Sequence, residues 1–125
     1  MSAIPDVELL RPRPGAVVVE CKGEHDLTTS DELGTLFAGL VAENDLVVID
    51  VSEAEYVDSS FLHNLVKADR VASARGARVR LQFGTAPIVR RAFELSGVLA
   101  RLEHVSTRDE ALTQDGSRKR EPPDA

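Results

Sequence analysis

Leu46-Val-Val-Ile49 is a short apolar run, mostly β-branched, with no polar alternation. Such a run reads as a strand buried on both faces. A polar loop follows, and Asp58-Ser59-Ser60 then stands directly before an apolar pattern of helical period. Asp and Ser favour the N-cap because their side-chain oxygens accept the unpaired N–H groups of the first turn. A carboxylate and two hydroxyls therefore sit at the positive end of a helix that follows a central strand, a place that tolerates negative charge. Two readings follow. Either these residues only cap the helix, or one serine accepts a phosphoryl group, which adds roughly two negative charges beside the helix dipole. The local pattern leaves both open.

The remaining elements follow from period and punctuation. Residues 1–6 are expected to fray. Val7 to Leu10 reads as an edge strand ended by the turn Arg11-Pro-Arg-Pro-Gly15, and Ala16 to Lys22 as a strand led by three valines. Together they suggest an antiparallel hairpin. Cys21 reads as a small buried apolar residue. Gly23-Glu-His-Asp26 reads as a loop, followed by a capping box of Thr29 with Glu32. Leu33, Leu36, Phe37, Leu40 and Val41 then give one apolar face of a helix. From about Ser60 to Arg75 a second helix turns Leu62, Leu65, Val66 and Ala72 inward, with Phe61 and Ala68 at the margin. His63, Asn64, Lys67 and Arg70 fall outward, Asp69 falls among the apolar positions without an evident reason, and Gly76 takes the C′ place. Arg78 to Phe83 reads as a strand. Pro87 opens a helix whose apolar side is Ile88, Val89, Ala92, Phe93 and Leu95, and Gly97 ends it. Leu102 to Val105 is a final strand, and Thr107 with Glu110 caps a short helix through Leu112. From Gln114 the chain has no apolar anchor and reads as a disordered tail.

A length of 125 residues suits one domain with a real core. Strands alternating with helices make it α/β, and the first hairpin makes the sheet mixed. The net charge of −6 argues against nucleic acid and against anionic lipid as partners. One cysteine excludes an internal disulfide, and His25, His63 and His104 lack metal-ligand spacing. The first six residues have neither a basic nor an apolar signal region, and no apolar run reaches membrane-spanning length, so a soluble cytoplasmic protein is expected.

Three motifs together carry a resemblance: Gly23-Glu-His-Asp26, Asp58-Ser59-Ser60 after the buried strand, and Val89-Arg-Arg-Ala-Phe-Glu-Leu-Ser-Gly97. In this order and spacing the chain resembles the STAS family over residues 7–113, and more narrowly the bacterial anti-sigma factor antagonists. The resemblance implies a single STAS-like domain, a sheet of four or five strands and about four helices mostly on one side. It implies that Asp26 lies near the acceptor serine. It also implies a function: binding an anti-sigma factor that is a serine kinase, release of a sigma factor, inactivation by phosphorylation at Ser59 (Ser60 ranking second), and resetting by a phosphatase. ATP and Mg²⁺ would belong to the kinase, and the chain needs no cofactor or metal of its own. The expected partner surface comprises Asp26, Asp58, Ser59, Ser60, Phe61, His63 and Asn64, on a monomer or weak dimer. Two residues depart from the family. His25 replaces an aliphatic residue, and Phe61 replaces the glycine that follows the serines. Phe61 either packs inward or stands exposed as an apolar contact, and the exposed case would hinder modification of Ser59.

An enzyme is not expected. The chain has no Gly-x-Gly-x-x-Gly, no Gly-x-x-x-x-Gly-Lys-Ser/Thr and no Gly-x-Ser-x-Gly. Asp58 adjoins Ser59 in sequence, which places it poorly to orient a general base. Two rival readings remain: a constitutive STAS interaction subunit of a transport or stress-signalling assembly, favoured by Phe61, and, last, a nucleotide-binding module.

Overall fold

The computed structural model describes residues 4–84 and 87–113. The tail expected from Gln114, residues 1–3 and the side chain of Ile88 lie outside what is described. In chain order the elements are β1 Val7–Arg13, β2 Ala16–Cys21, β3 Gly23–His25, α1 Ser30–Glu43, β4 Leu46–Asp50, β5 Ala54–Val57, α2 Ser59–Ala74, β6 Arg78–Gln82, α3 Pro87–Ser96, β7 Glu103–Val105 and α4 Arg108–Ala111, with 3-10 turns at Leu27–Thr29 and Val98–Ala100.

Five strands form one sheet in the order β1-β2-β4-β6-β7, and β3 pairs with β5 in a second, two-stranded sheet. Only β1 against β2 is antiparallel in the larger sheet, so the expected mixed α/β architecture holds. Each parallel step crosses over through a helix, as parallel pairing requires. β4 lies at the centre and all five of its residues are buried, as its apolar run demands. β1 runs past the expected end at Leu10, through Pro12 to Arg13, with its register broken between Leu10 and Arg13. An edge position makes this permissible, since the missing N–H of Pro12 costs no ladder bond in a central strand. Packing also starts earlier than Val7: Ile4 is buried and its carbonyl accepts the Val7 N–H.

Alternate residues divide the core. Val17, Val19, Val47, Ile49, Val79 and Leu81 join the apolar faces of α1, α2 and α3. Ala16, Val18, Leu46 and Val48 point the other way and meet Val105 and Ala111. Arg80, 1% exposed, also lies in that second layer; its Nε is 2.8 Å from Glu103 Oε1, and its Nη1 donates to the carbonyls of Ala111 and Thr113. Arg108 of α4 reaches Glu20, Asp50 and Gln82, which lie side by side at the ends of β2, β4 and β6. Burial opposes the charge of Arg108, but its hydrogen bonds to Asp50 and Glu20 outweigh it and raise its pKa.

Several local expectations change. Gly23–His25 and Ala54–Val57 are strands rather than loops. Thr29 makes no side-chain cap to α1; the chain takes a 3-10 turn first, and Asp26 caps that turn by accepting from Thr28 N. The capping box of Thr107 with Glu110 is present. Gly76 takes the left-handed conformation expected after α2, with φ 79°. Leu95 is 76% exposed rather than on the buried side of α3.

Candidate functional site

The site forms where β3 and β5 end together. These strands run parallel with His25 paired to Val57, and the Asp58 N–H donates to the His25 carbonyl at 3.2 Å. Asp26 and Asp58 thus leave neighbouring strand ends in the same direction, and each starts a tight polar turn.

The two turns have one construction. Asp58 Oδ1 accepts from Ser60 N (3.0 Å), Phe61 N (3.2 Å) and Ser60 Oγ (2.6 Å). Asp26 Oδ1 accepts from Thr28 N (3.0 Å) and Thr28 Oγ1 (2.6 Å). Those bonds, the Thr28 hydroxyl first, hold the Asp26 carboxyl below its usual range. In both, the sequence is Asp-x-Ser/Thr, and the carboxylate satisfies the first free N–H groups of the helical turn it opens. The shared spacing Asp26-Leu-Thr28 and Asp58-Ser-Ser60 is a signal in the sequence that points to Thr28 as a member of the site.

α2 begins at Ser59. Ser59 is exposed, and among the described residues no hydrogen bond ties its hydroxyl. The Ser60 hydroxyl, by contrast, is committed to Asp58. The two serines are adjacent in sequence and chemically unequal.

Phe61 packs inward. It is 1% exposed, lies edge-on to Phe37 at 6.3 Å between ring centroids, and meets His25 at 5.5 Å. The expectation of Phe61 as a partner contact is therefore corrected: burial removes it from the surface and leaves the outer side of the first turn uncovered. The two departures from the family's pattern touch each other. His25 is equally buried; its Nε2 lies 2.8 Å from the Lys22 carbonyl, and its Nδ1 has no partner among the described residues. Burial lowers the His25 pKa, against the Lys22 carbonyl and the charges of Asp6 and Asp26, which raise it.

Asn64 is likewise corrected. It points into the seam between helices, where Nδ2 donates to Ser30 O at 2.9 Å and Ser30 Oγ at 3.3 Å. Gly34 makes room for it, since a Cβ there would come within 3.0 Å of Asn64 Oδ1. Asn64 thus ties α1 to α2 instead of facing a partner. His63 is exposed, as expected, on the turn after Ser59. Asp69 is buried. Cys21 is buried, and burial, then the charge of Asp50, pushes its thiol pKa far up, leaving it inert as a nucleophile.

Among the described residues no cluster of three His, Cys, Asp or Glu side chains could hold a metal, and no helix is long and apolar enough to cross a membrane. A cleft of about 370 Å³ between α1 and α2 has one lysine, Lys67, and one carboxylate, Asp31, at its walls.

A family model described as Mlab, STAS domain, matches residues 9–104. No curated protein matches the sequence. Among solved structures, an anti-sigma factor antagonist from Mycobacterium paratuberculosis is 26% identical, with a TM-score of 0.74 over 89% of this chain and 96% of that one. The anti-sigma factor antagonist SpoIIAA in its unphosphorylated form is 20% identical, with a TM-score of 0.73 over 85% of this chain and 92% of that one. The Bacillus cell fate determinant SpoIIAA in the phosphorylated form is 19% identical, with a TM-score of 0.66 over 85% of this chain and 96% of that one.

Proposed function

The chain belongs to the STAS family, and from that premise we propose that it is an anti-sigma factor antagonist switched at Ser59. Unphosphorylated, it binds an anti-sigma factor that is also a serine kinase, and a sigma factor is released. The kinase, with its own ATP and Mg²⁺, then transfers the γ-phosphoryl group. A bond forms from Ser59 Oγ to phosphorus, ADP leaves, and the hydroxyl proton passes to a base of the kinase. A phosphatase resets the switch.

The exposed, uncommitted Ser59 hydroxyl at the start of α2 is the observation that carries this reading. Ser60 is the poorer acceptor because its hydroxyl already donates to Asp58. The inward turn of Phe61 supports the same reading, since the side chain that would crowd a kinase is in the core. SpoIIAA, which shares the fold, has been solved in both unphosphorylated and phosphorylated forms.

A phosphate on Ser59 sits beside Asp58 and the neighbouring Asp26, so an interface there acquires like-charge repulsion and a desolvation cost. The helix N-terminus accommodates the new charge in place, and binding is lost without refolding. A penalty of about 3 kcal/mol weakens binding roughly a hundredfold.

The rival reading, a constitutive STAS interaction subunit without phosphorylation, rested on an exposed Phe61, and burial of that ring withdraws its support. Incubation of the purified protein with ATP, Mg²⁺ and each candidate anti-sigma kinase separates the two. We expect a single added phosphate by intact mass, absent from Ser59→Ala and retained by Ser60→Ala. A stable complex with a partner and no added mass from any kinase would establish the constitutive module instead.

A further inference from the structure

We infer that Leu27 is the apolar anchor by which this face seats on its partner, and that the partner's matching surface is a hydrophobic pocket ringed by lysine and arginine. This deepens the reading above and rests on it. The two Asp-x-Ser/Thr turns stand side by side, and the middle residue of each faces solvent: Ser59 in one, Leu27, 75% exposed, in the other. Isolated exposed leucines are ordinary. Leu27 differs in how it is held. Its turn is pinned by two bonds to Asp26 and runs directly into α1, so the side chain is presented at little further cost in conformational entropy. Tyr56, 46% exposed, pairs with Glu24 on the strand pair that carries the two turns.

Charge identifies the occupant. Residues 23–32 and 53–60, which build this face, carry seven Asp or Glu and no Lys or Arg. Two copies of such a face repel each other, and an anionic membrane is repelled as well. A protein that covers Leu27 must bring cations to the rim, where they meet Glu24, Glu53 and Glu55, all exposed. Leu27 supplies contact and the carboxylates supply orientation. A phosphate on Ser59 adds charge to the turn next to the anchor, so modification and anchor act on one and the same contact.

The test uses the full chain, unphosphorylated, titrated by biolayer interferometry against each candidate anti-sigma factor kinase. For a kinase bound by the wild type, we expect Leu27→Ala to weaken binding about tenfold and Leu27→Asp further. Glu55→Lys should slow association, and rising salt should slow it too. Leu10→Ala, a half-exposed leucine on the far edge strand, serves as the comparison and should leave binding unchanged, and melting temperatures should show all variants folded. A kinase that binds wild type and Leu27→Asp equally overturns the anchor while leaving the antagonist reading intact. Failure of the wild type to bind any of the kinases overturns both.

Discussion

On the face of the sheet covered by α1, α2 and α3, the buried residues are mainly hydrocarbon and aromatic, with Cys21 and Asn64 among them, and the layer ends in the ring contacts among His25, Phe37 and Phe61. The opposite face has the four-residue helix α4, and its burial is completed by charge: Arg80 with Glu103, and Arg108 over Glu20 and Asp50. The first arrangement tolerates loss of a methylene in proportion to the volume removed. The second depends on every charge keeping its partner, because a buried ion without one costs more than the pair contributes. The side that carries the Ser59 turn is thus supported by packing, and the side that fastens the end of the domain by ion pairs.

Truncating each face should break that contrast in its own way. Phe61→Ala empties a fully buried ring site and should cost about 4 kcal/mol in urea unfolding, with little dependence on salt. Arg80→Met should cost about 3 kcal/mol, since among the described residues Glu103 keeps the partly exposed Arg78 alone and two carbonyls lose a donor. Adding Glu103→Leu to Arg80→Met should recover most of that loss, whereas no second substitution on the apolar face should restore Phe61→Ala so simply. A double variant no more stable than Arg80→Met alone would show that packing by the arginine stem dominates on both faces. The smallest effect concerns His25. Its folded pKa lies below the ordinary 6.5, so the unfolded chain binds the proton more tightly. Its contribution is complete above that value and is lost as pH falls through the folded pKa. Stability measured across this acidic window should fall with pH in the wild type, and His25→Leu should flatten the slope.

The period of the sequence made most of this architecture readable. β2, β4, β6 and the apolar faces of α1 and α2 follow from it because each buries residues at regular spacing. β3 and β5 were hidden for the opposite reason: at three and four residues they are too short to alternate, and their pairing joins segments separated by the whole of α1 and β4. The outward assignment of Asn64 failed because its partner is the backbone of Ser30 on another helix, and the helical wheel of α2 holds no trace of Gly34. The partners of Arg80 and Arg108 are carboxylates that only the sheet brings opposite them, so no local pattern holds them. The Asp58 cap was legible because the donors it satisfies are local. The inward turn of Phe61 was not, since it depends on His25 and Phe37 across the fold.

The borders of the larger sheet have a consequence for behaviour at high concentration. A bare strand edge is a template for adding another chain, and growth from such edges leads to swapped dimers and fibrils. Here one border is β1, interrupted by Pro12 and a register break, with Arg11 and Arg13 flanking the proline. The other is β7, three residues long. Neither offers a run of free N–H and C=O groups long enough to propagate a ladder. Growth of the sheet by a second chain is thereby disfavoured at both borders.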